Sequence, residues 1–271
     1  MNRSRDFQLS SGEGLPILGT LTLPSTPAHA LVVIIHGFKG FRNWGFFPWM
    51  ADAFAKLGIA SCRFDMSRNG VEHEEFTRLD LFEDDTYSIE LADLRVVLAY
   101  IEKTKALSSL PLFLLGHSRG GSIAILGARL ASSRLTGVIT WSSISQLDRW
   151  DAKTRAKWRK EGAMMIENQR TKQKMRVSTA ILDDLERNAA SLEIEAAMRS
   201  LEKPILLVHG KKDDSVPWEE VLKLASWKTD SSILLVGSGT HTYGAIHPLV
   251  HVPSELELVM TVTGRFVQNH I

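Results

Sequence analysis

The stretch Leu112-Phe113-Leu114-Leu115-Gly116-His117-Ser118-Arg119-Gly120 decides how this chain is read. Four consecutive apolar residues have the length of a buried strand, and they run directly into Gly-x-Ser-x-Gly. From Ser118 to Ala131 the residues then keep helical spacing. A serine caught between a strand and a helix sits on a sharp turn with a strained backbone. Side chains two residues to either side would collide, so glycine is needed at both 116 and 120. The helix that follows points the free N–H groups of its N-terminus at the turn. Three fixed positions alone would arise by chance on the order of 0.1 times in such a chain. The placement between strand and helix gives the motif its weight.

Working outward, the same alternation recurs. Leu31–Ile35, Ala60–Phe64, Val138–Trp141, Ile205–Val208 and Ile233–Val236 are short apolar runs, as strands covered on both faces should be. Helical spacing marks Phe47–Leu57, Pro217–Trp227 and Ser254–Asn269. It is clearest over Asp84–Lys103, where Tyr87, Leu91, Leu94, Leu98 and Ile101 form one stripe. Phe7–Leu9 and Pro16–Leu23 read as two further strands across a turn-rich Ser10–Gly14. The pattern predicts an α/β protein with one domain over 1–271: a mostly parallel sheet of about eight strands, helices on both faces and an antiparallel N-terminal pair. Residues 143–201 break the rhythm, with helix-forming residues and no convincing strand. They read as a short helical cap insertion, a lid over a site, against the plainer alternative of a solvated helical patch.

Composition excludes several classes. Of 271 residues 44% are apolar, enough for a large core and too many for general disorder. Lys plus Arg number 32 against 31 Asp plus Glu, so no global basic field argues for nucleic acid. No apolar run approaches the roughly 20 residues that span a bilayer. Met1–Ser10 lacks the apolar core of a signal peptide. Cys62 is the single cysteine, which leaves no intramolecular disulfide framework. The expectation is a cytoplasmic protein with no membrane contact, for which a homodimer is left open.

A serine nucleophile needs a base, and the base an orienting carboxylate. On a strand-turn-helix serine the chain order should be Ser, then Asp or Glu, then His, each in a loop after a strand. The loop after Ile205–Val208 carries Asp213 and Asp214, and the glycine-rich loop after Ile233–Val236 carries His241. Acyl transfer also needs donors where the oxyanion forms. The backbone N–H of Arg119 is one, and that of Phe38, beyond the strand Leu31–Ile35 and His36-Gly37, is the other. Only these amides matter there, which leaves the side chains of Phe38 and Arg119 free to shape a pocket.

In these motifs the chain resembles the α/β-hydrolases from about Leu31 onward. His36-Gly37-Phe38, Gly116–Gly121, His209-Gly210-x-x-Asp213-x-x-Val216-Pro217 and the loop of His241 are similar to the small serine esterases. Those group with cinnamoyl (feruloyl) esterases, serine aminopeptidase-like hydrolases and dienelactone hydrolase-like proteins. The resemblance implies Asp213 over Asp214 as the acid, and hydrolysis of a small-molecule carboxylic ester through an acyl-enzyme on Ser118 with His241 as base. It implies neither a metal nor an organic cofactor. True dienelactone hydrolases use a cysteine nucleophile, and Cys62 lies on another strand.

Other residues have competing readings. His36, His209 and His117 read as structural, while His247 is the rival base. Phe38 and Phe41 are expected in an acyl pocket, Phe47 in the core, and Trp44 in either. Trp150 and Trp158 either seat the insertion or cover the pocket. Arg149–Arg176 holds ten Lys or Arg against three Asp or Glu, and Glu72–Asp85 seven acids against one Arg. The basic stretch could steer an anionic substrate, attract the acidic one, or face water, and the solvated reading is favoured. Two rivals to the enzyme are a non-catalytic ligand-binding member of the fold and a nucleic-acid binder using the basic stretch. Thioester and amide cleavage stay open within the class.

Overall fold

Along Leu31–Ile35 successive side chains go to opposite faces of a sheet, and both faces are dry. Val32 and Ile34 pack with Phe47, Met50, Phe54, Leu256 and Val259. Leu31, Val33 and Ile35 pack with Leu94, Val97, Leu98 and Ile101. Leu112–Leu115 splits the same way, Phe113 and Leu115 joining the first group and Leu112 and Leu114 the second. Two-sided burial therefore makes these strands continuously apolar. The computed structural model describes residues 3–131 and 134–271. Met1 and Asn2, part of the N-terminal stretch read above, lie outside them.

Eight strands form one sheet: β1 (Arg3–Ser10), β2 (Pro16–Leu23), β3 (Ala30–Ile35), β4 (Ile59–Phe64), β5 (Leu112–His117), β6 (Leu135–Trp141), β7 (Ile205–Gly210) and β8 (Ser232–Val236). Their order is β1-β2-β4-β3-β5-β6-β7-β8. The pairs β1–β2 and β2–β4 are antiparallel, and every pair from β4 to β8 is parallel. The edges differ from the centre. Strand β1 exposes Arg3, Arg5 and Asp6, charges that discourage pairing with another chain, and β8 leaves Ile233 45% exposed.

Helices α1 (Phe47–Lys56), α2 (Tyr87–Lys103), α3 (Arg119–Gly127), α4 (Glu219–Trp227) and α5 (Ser254–Asn269) cover the two faces. Helix α2 starts three residues later than its spacing suggested, because Thr86 caps it by accepting from the Ile89 N–H. Asp85 is thereby left outside the helix.

Residues 143–201 run between β6 and β7 and hold helices Ala152–Glu161, Ala180–Arg187 and Ile194–Arg199. They also hold an antiparallel hairpin, Ala163–Glu167 with Lys174–Ser178, where no strand was expected. Met, Glu, Lys, Arg and Gln favour helices in isolation, which hid a period-two pattern. Met175 and Val177 are buried while Lys174 and Arg176 between and beside them are exposed. Gly162 ends the preceding helix in the left-handed conformation, at φ 73.

The charged segments are not simply solvated either. Arg176 reaches Glu83 at 2.7 Å and Arg170 reaches Glu75 at 3.4 Å, while Gln173 donates to the Phe76 carbonyl at 3.0 Å. Basic and acidic stretches dock on one another, and only part of the basic run, including Lys153, Lys157 and Lys160, faces water.

Candidate active site

Parallel order brings the ends of β3, β5, β7 and β8 to one edge of the sheet, where loops of an open α/β sheet gather their functional groups. The turn between β5 and α3 holds Ser118 at φ 56, ψ −126, a strained conformation for a non-glycine residue. Its flanking glycines are sterically required. A Cβ on Gly116 would lie 1.9 Å from the Gly120 carbonyl oxygen, and one on Gly120 would lie 2.3 Å from that of Ile35. The turn is thus pressed onto the end of β3. The loop leaving β3 comes as close: a Cβ on Gly37 would stand 2.9 Å from the Ser118 Cβ and 3.5 Å from the Arg119 nitrogen. That contact sets the Gly37–Phe38 loop beside the serine.

The loops after β7 and β8 are cross-braced in the same manner. A Cβ on Gly210 would sit 2.2 Å from the Gly239 carbonyl oxygen, and the N–H groups of Lys211 and Lys212 donate to Val236 and Gly239 at 2.9 and 2.8 Å. Across this brace His241 Nδ1 lies 2.8 Å from Asp213 Oδ2. The other Asp213 oxygen accepts from the N–H groups of Ser215 and Val216, at 2.9 and 2.8 Å. His209 Nε2 stands 3.3 Å from Asp213 Oδ2 and 3.0 Å from the Val216 carbonyl. The Asp213 side chain is fully buried. Burial opposes its charge, but the hydrogen bonds from His209, His241 and the backbone hold the carboxyl far below the usual carboxylate range. Asp214 is exposed and accepts from the Ser215 hydroxyl. The geometry therefore pairs His241 with Asp213.

His117 is buried with Nε2 2.9 Å from the His241 carbonyl oxygen, so that nitrogen carries the proton. Burial, and then the neighbouring His241, push its pKa down to about 3 and keep it neutral. His36 is a brace: Nε2 accepts from the Met66 N–H and Nδ1 faces the Gly37 carbonyl at 2.9 Å. The rival base His247 is occupied elsewhere, its Nδ1 accepting from the Gly45 N–H at 2.9 Å.

Ser118 and His241 open onto one cavity of about 750 Å³. No hydrogen bond joins Ser118 Oγ to the His241 ring among the described residues, a bond that commonly tightens when substrate binds. Phe38, expected at the pocket, lines the cavity, as do Trp44 and Trp150, whose readings were open, and Phe47 both lines it and belongs to the core. Phe41 does not line it: it is 1% exposed and packs edge-on against Phe76 and His247. Trp158 is likewise withdrawn, at 2% exposed, donating to the Val177 carbonyl and meeting Trp150 edge-on at 4.9 Å. It joins helix to hairpin inside the insertion.

The Arg119 side chain lines the cavity and is held there by its own partners. Its guanidinium lies 4.1 Å from the Phe38 ring centroid and 4.9 Å from that of Tyr87. Its Nη1 is 3.1 Å from Glu90 and 3.8 Å from Asp85. Burial, and then the adjacent Glu90, hold Asp85 well above the carboxylate range. Tyr87, read as a core stripe residue, lines the cavity and donates to the Leu147 carbonyl at 3.1 Å, tying α2 to the insertion. Sequence reasoning missed this cluster, along with Lys39 and Met164 on the cavity wall. The available signal was the two carboxylates, Glu90 and Asp93, on the buried face of α2.

The family model described as serine aminopeptidase, S33 matches residues 26–193. The chain belongs to that family. The matched span of this S33 family member includes the Phe38 loop and Ser118, and stops before Asp213 and His241. Among curated proteins it is 25% identical over 203 residues to 2,6-dihydropseudooxynicotine hydrolase of Paenarthrobacter nicotinovorans, a match covering 74% of this chain and 49% of that one. The chain spans about half the length of the curated relatives it matches, or less. Among solved structures it superposes on Est1E of Butyrivibrio proteoclasticus with ferulic acid bound, at TM-score 0.72, 20% identity and 97% and 98% of the two chains. A putative hydrolase of Agrobacterium vitis gives TM-score 0.73 at 19% identity over 98% and 99%. The fold is the α/β-hydrolase fold. Among the described residues no helix is long and apolar enough to cross a membrane.

Proposed function

We propose that this family member is a serine hydrolase acting on carboxylic esters of small molecules. One observation carries the reading. A strained serine at φ 56 opens onto the same cavity as His241, whose Nδ1 is engaged 2.8 Å from a fully buried carboxylate. With Nδ1–H given to Asp213, Nε2 is the free, basic nitrogen. Ser118 Oγ attacks the ester carbonyl while His241 Nε2 takes its proton. Asp213 keeps the ring in that tautomer and stabilises the imidazolium. The N–H groups of Phe38 and Arg119 donate to the oxyanion. His241 then returns the proton to the departing alcohol, and water, deprotonated by the same ring, cleaves the acyl-enzyme to release the acid. Residues 143–201 act as a cap, supplying Arg149, Trp150, Met164 and Ile166 to the cavity wall.

Labelling the purified protein with a fluorophosphonate and locating the adduct by mass spectrometry tests this reading. The expected adduct is on Ser118, absent in Ser118→Ala and much reduced in His241→Ala. An unlabelled protein that also leaves p-nitrophenyl esters intact would make it a non-catalytic member of the fold.

A further inference from the structure

We infer that the cavity takes an ester carrying a second, anionic group, a carboxylate several bonds from the scissile carbonyl, and that Lys39 and Arg149 receive it. This rests on the esterase reading above and narrows its substrate class. Four cationic side chains line the cavity: Lys39, Arg119, Arg149 and Arg170. Among the described residues no Asp or Glu lines it.

Two of the four cations are already answered. Arg119 lies 3.1 Å from Glu90, and Arg170 lies 3.4 Å from Glu75, outside the lining. Lys39 and Arg149 have no carboxylate within ion-pair distance among the described residues. Lys39 is half-buried, and its ammonium donates to the Glu167 backbone carbonyl at 3.2 Å, leaving two of its three N–H groups for another acceptor. Burial alone pushes its pKa down, as expected for a cation withdrawn from water without a counter-charge. A bound carboxylate would supply that charge.

Placement fits the chemistry. Lys39 stands two residues beyond Gly37, the point where the loop after β3 touches Ser118, and holds φ 58. A non-glycine residue kept in this region marks a position the surrounding structure has fixed. Arg149 enters from the insertion, so the two charges come from both walls. The same lining carries the aromatic and apolar side chains of Phe38, Trp44, Trp150 and Ile166, and such walls strengthen the field of uncompensated charges.

The test compares two p-nitrophenyl esters of equal chain length, the monoanionic hydrogen glutarate and the neutral pentanoate, by the ratio of their kcat/KM. For the unaltered protein at low salt the ratio is expected to exceed one by about tenfold, the worth of one partly buried charge-assisted hydrogen bond, and to fall toward one at 0.5 M salt. Lys39→Gln and Arg149→Gln should each lower it several-fold. Lys153→Gln, an exposed charge outside the cavity, should leave it unchanged. A Lys39 that merely props the insertion on the loop would affect both esters equally. Arg149 is exposed, so its variant keeps the test open if Lys39→Gln fails to fold. A ratio at or below one, or equal losses with Lys153→Gln, overturns the inference while pentanoate turnover leaves the esterase reading standing. Failure to cleave either ester, with Ser118 unlabelled, overturns both.

Discussion

At the edge of the sheet the loops meet through glycine: Gly116 on Gly120, Gly120 on Ile35, Gly37 on Ser118, Gly210 on Gly239. Residues 143–201 form another part of the same cavity wall and are held quite differently. There Arg176 reaches Glu83, Arg155 and Arg159 pair with Asp148, Asp183 and Glu186, and Trp150 and Trp158 meet edge-on. Backbone packed on backbone has almost no freedom to adjust, because a single added carbon overlaps a carbonyl. Long side chains paired at a surface can be exchanged, re-routed or replaced by water at a cost of about 1 kcal/mol or less each. The first region fixes Ser118, Asp213 and His241 relative to one another, and the pairings of the second can be rearranged without disturbing them.

The largest expected effect tests the fixed region. Ser118→Ala should lower kcat/KM on any cleaved ester by up to about 10⁶-fold, and Asp213→Asn by about 10⁴-fold, with unchanged circular dichroism. If Asp214→Asn matched Asp213→Asn in steady-state kinetics, the pairing of His241 with Asp213 would not be the operative one.

Next in size is the steric demand. Gly120→Ala should destabilise by more than about 3 kcal/mol or prevent folding, read as a shift of the denaturant midpoint, since its Cβ would meet the carbonyls of Ile35 and His36 at 2.3 and 2.4 Å. A variant as stable as the parent would show that the loops are looser than their contacts imply.

The buried carboxylates on and beside α2 give a pH signature. Asp93 is 1% exposed and accepts from the Ser67 N–H, and burial raises its carboxyl to about 6. Between about pH 4 and 6 the folded chain keeps a proton there that the unfolded chain releases, so stability falls as pH rises through that window. The loss from this group approaches about 3 kcal/mol. His117, kept neutral by burial, contributes the opposite slope in parent and variant alike, so Asp93→Asn, which keeps an acceptor for Ser67, should gain stability at pH 7 relative to pH 4.5 when its urea unfolding is compared with the parent's. An undiminished slope would assign it to Asp85 instead.

The smallest effect is expected in the paired insertion. Arg176→Gln should cost under about 1 kcal/mol, because the pair is 53% and 28% exposed. A loss several times larger in thermal unfolding would show that docking on Glu83 governs the insertion, and the contrast between the two regions would narrow.

Much of the first region was legible in the sequence. Strand spans such as Pro16–Leu23 and helix Ser254–Asn269 match the structure residue for residue, since two-sided burial and amphipathic spacing leave a direct trace. Gly116 and Gly120 could be read because a required glycine is a steric statement written in one position. The hairpin at 163–178 was hidden by residues whose helix propensity contradicts their alternation, and tertiary burial of Met175 and Val177 overrode it. Phe41, expected at the pocket, and Trp158, left open between pocket and packing, both went to the interior, because an aromatic side chain in the sequence does not say which way its ring faces.

By itself, then, the sequence determined the sheet, the turn that strains Ser118, and the chain order Ser118, Asp213, His241, all of which follow from local periodicity and local sterics. Tertiary structure decided which aspartate reaches His241, that Arg119 is committed to Glu90, and that Lys39 and Arg149 line the cavity with no carboxylate partner among the described residues. Those are matters of distance between residues far apart in the chain, and only the packing of loops and insertion on the sheet sets such distances.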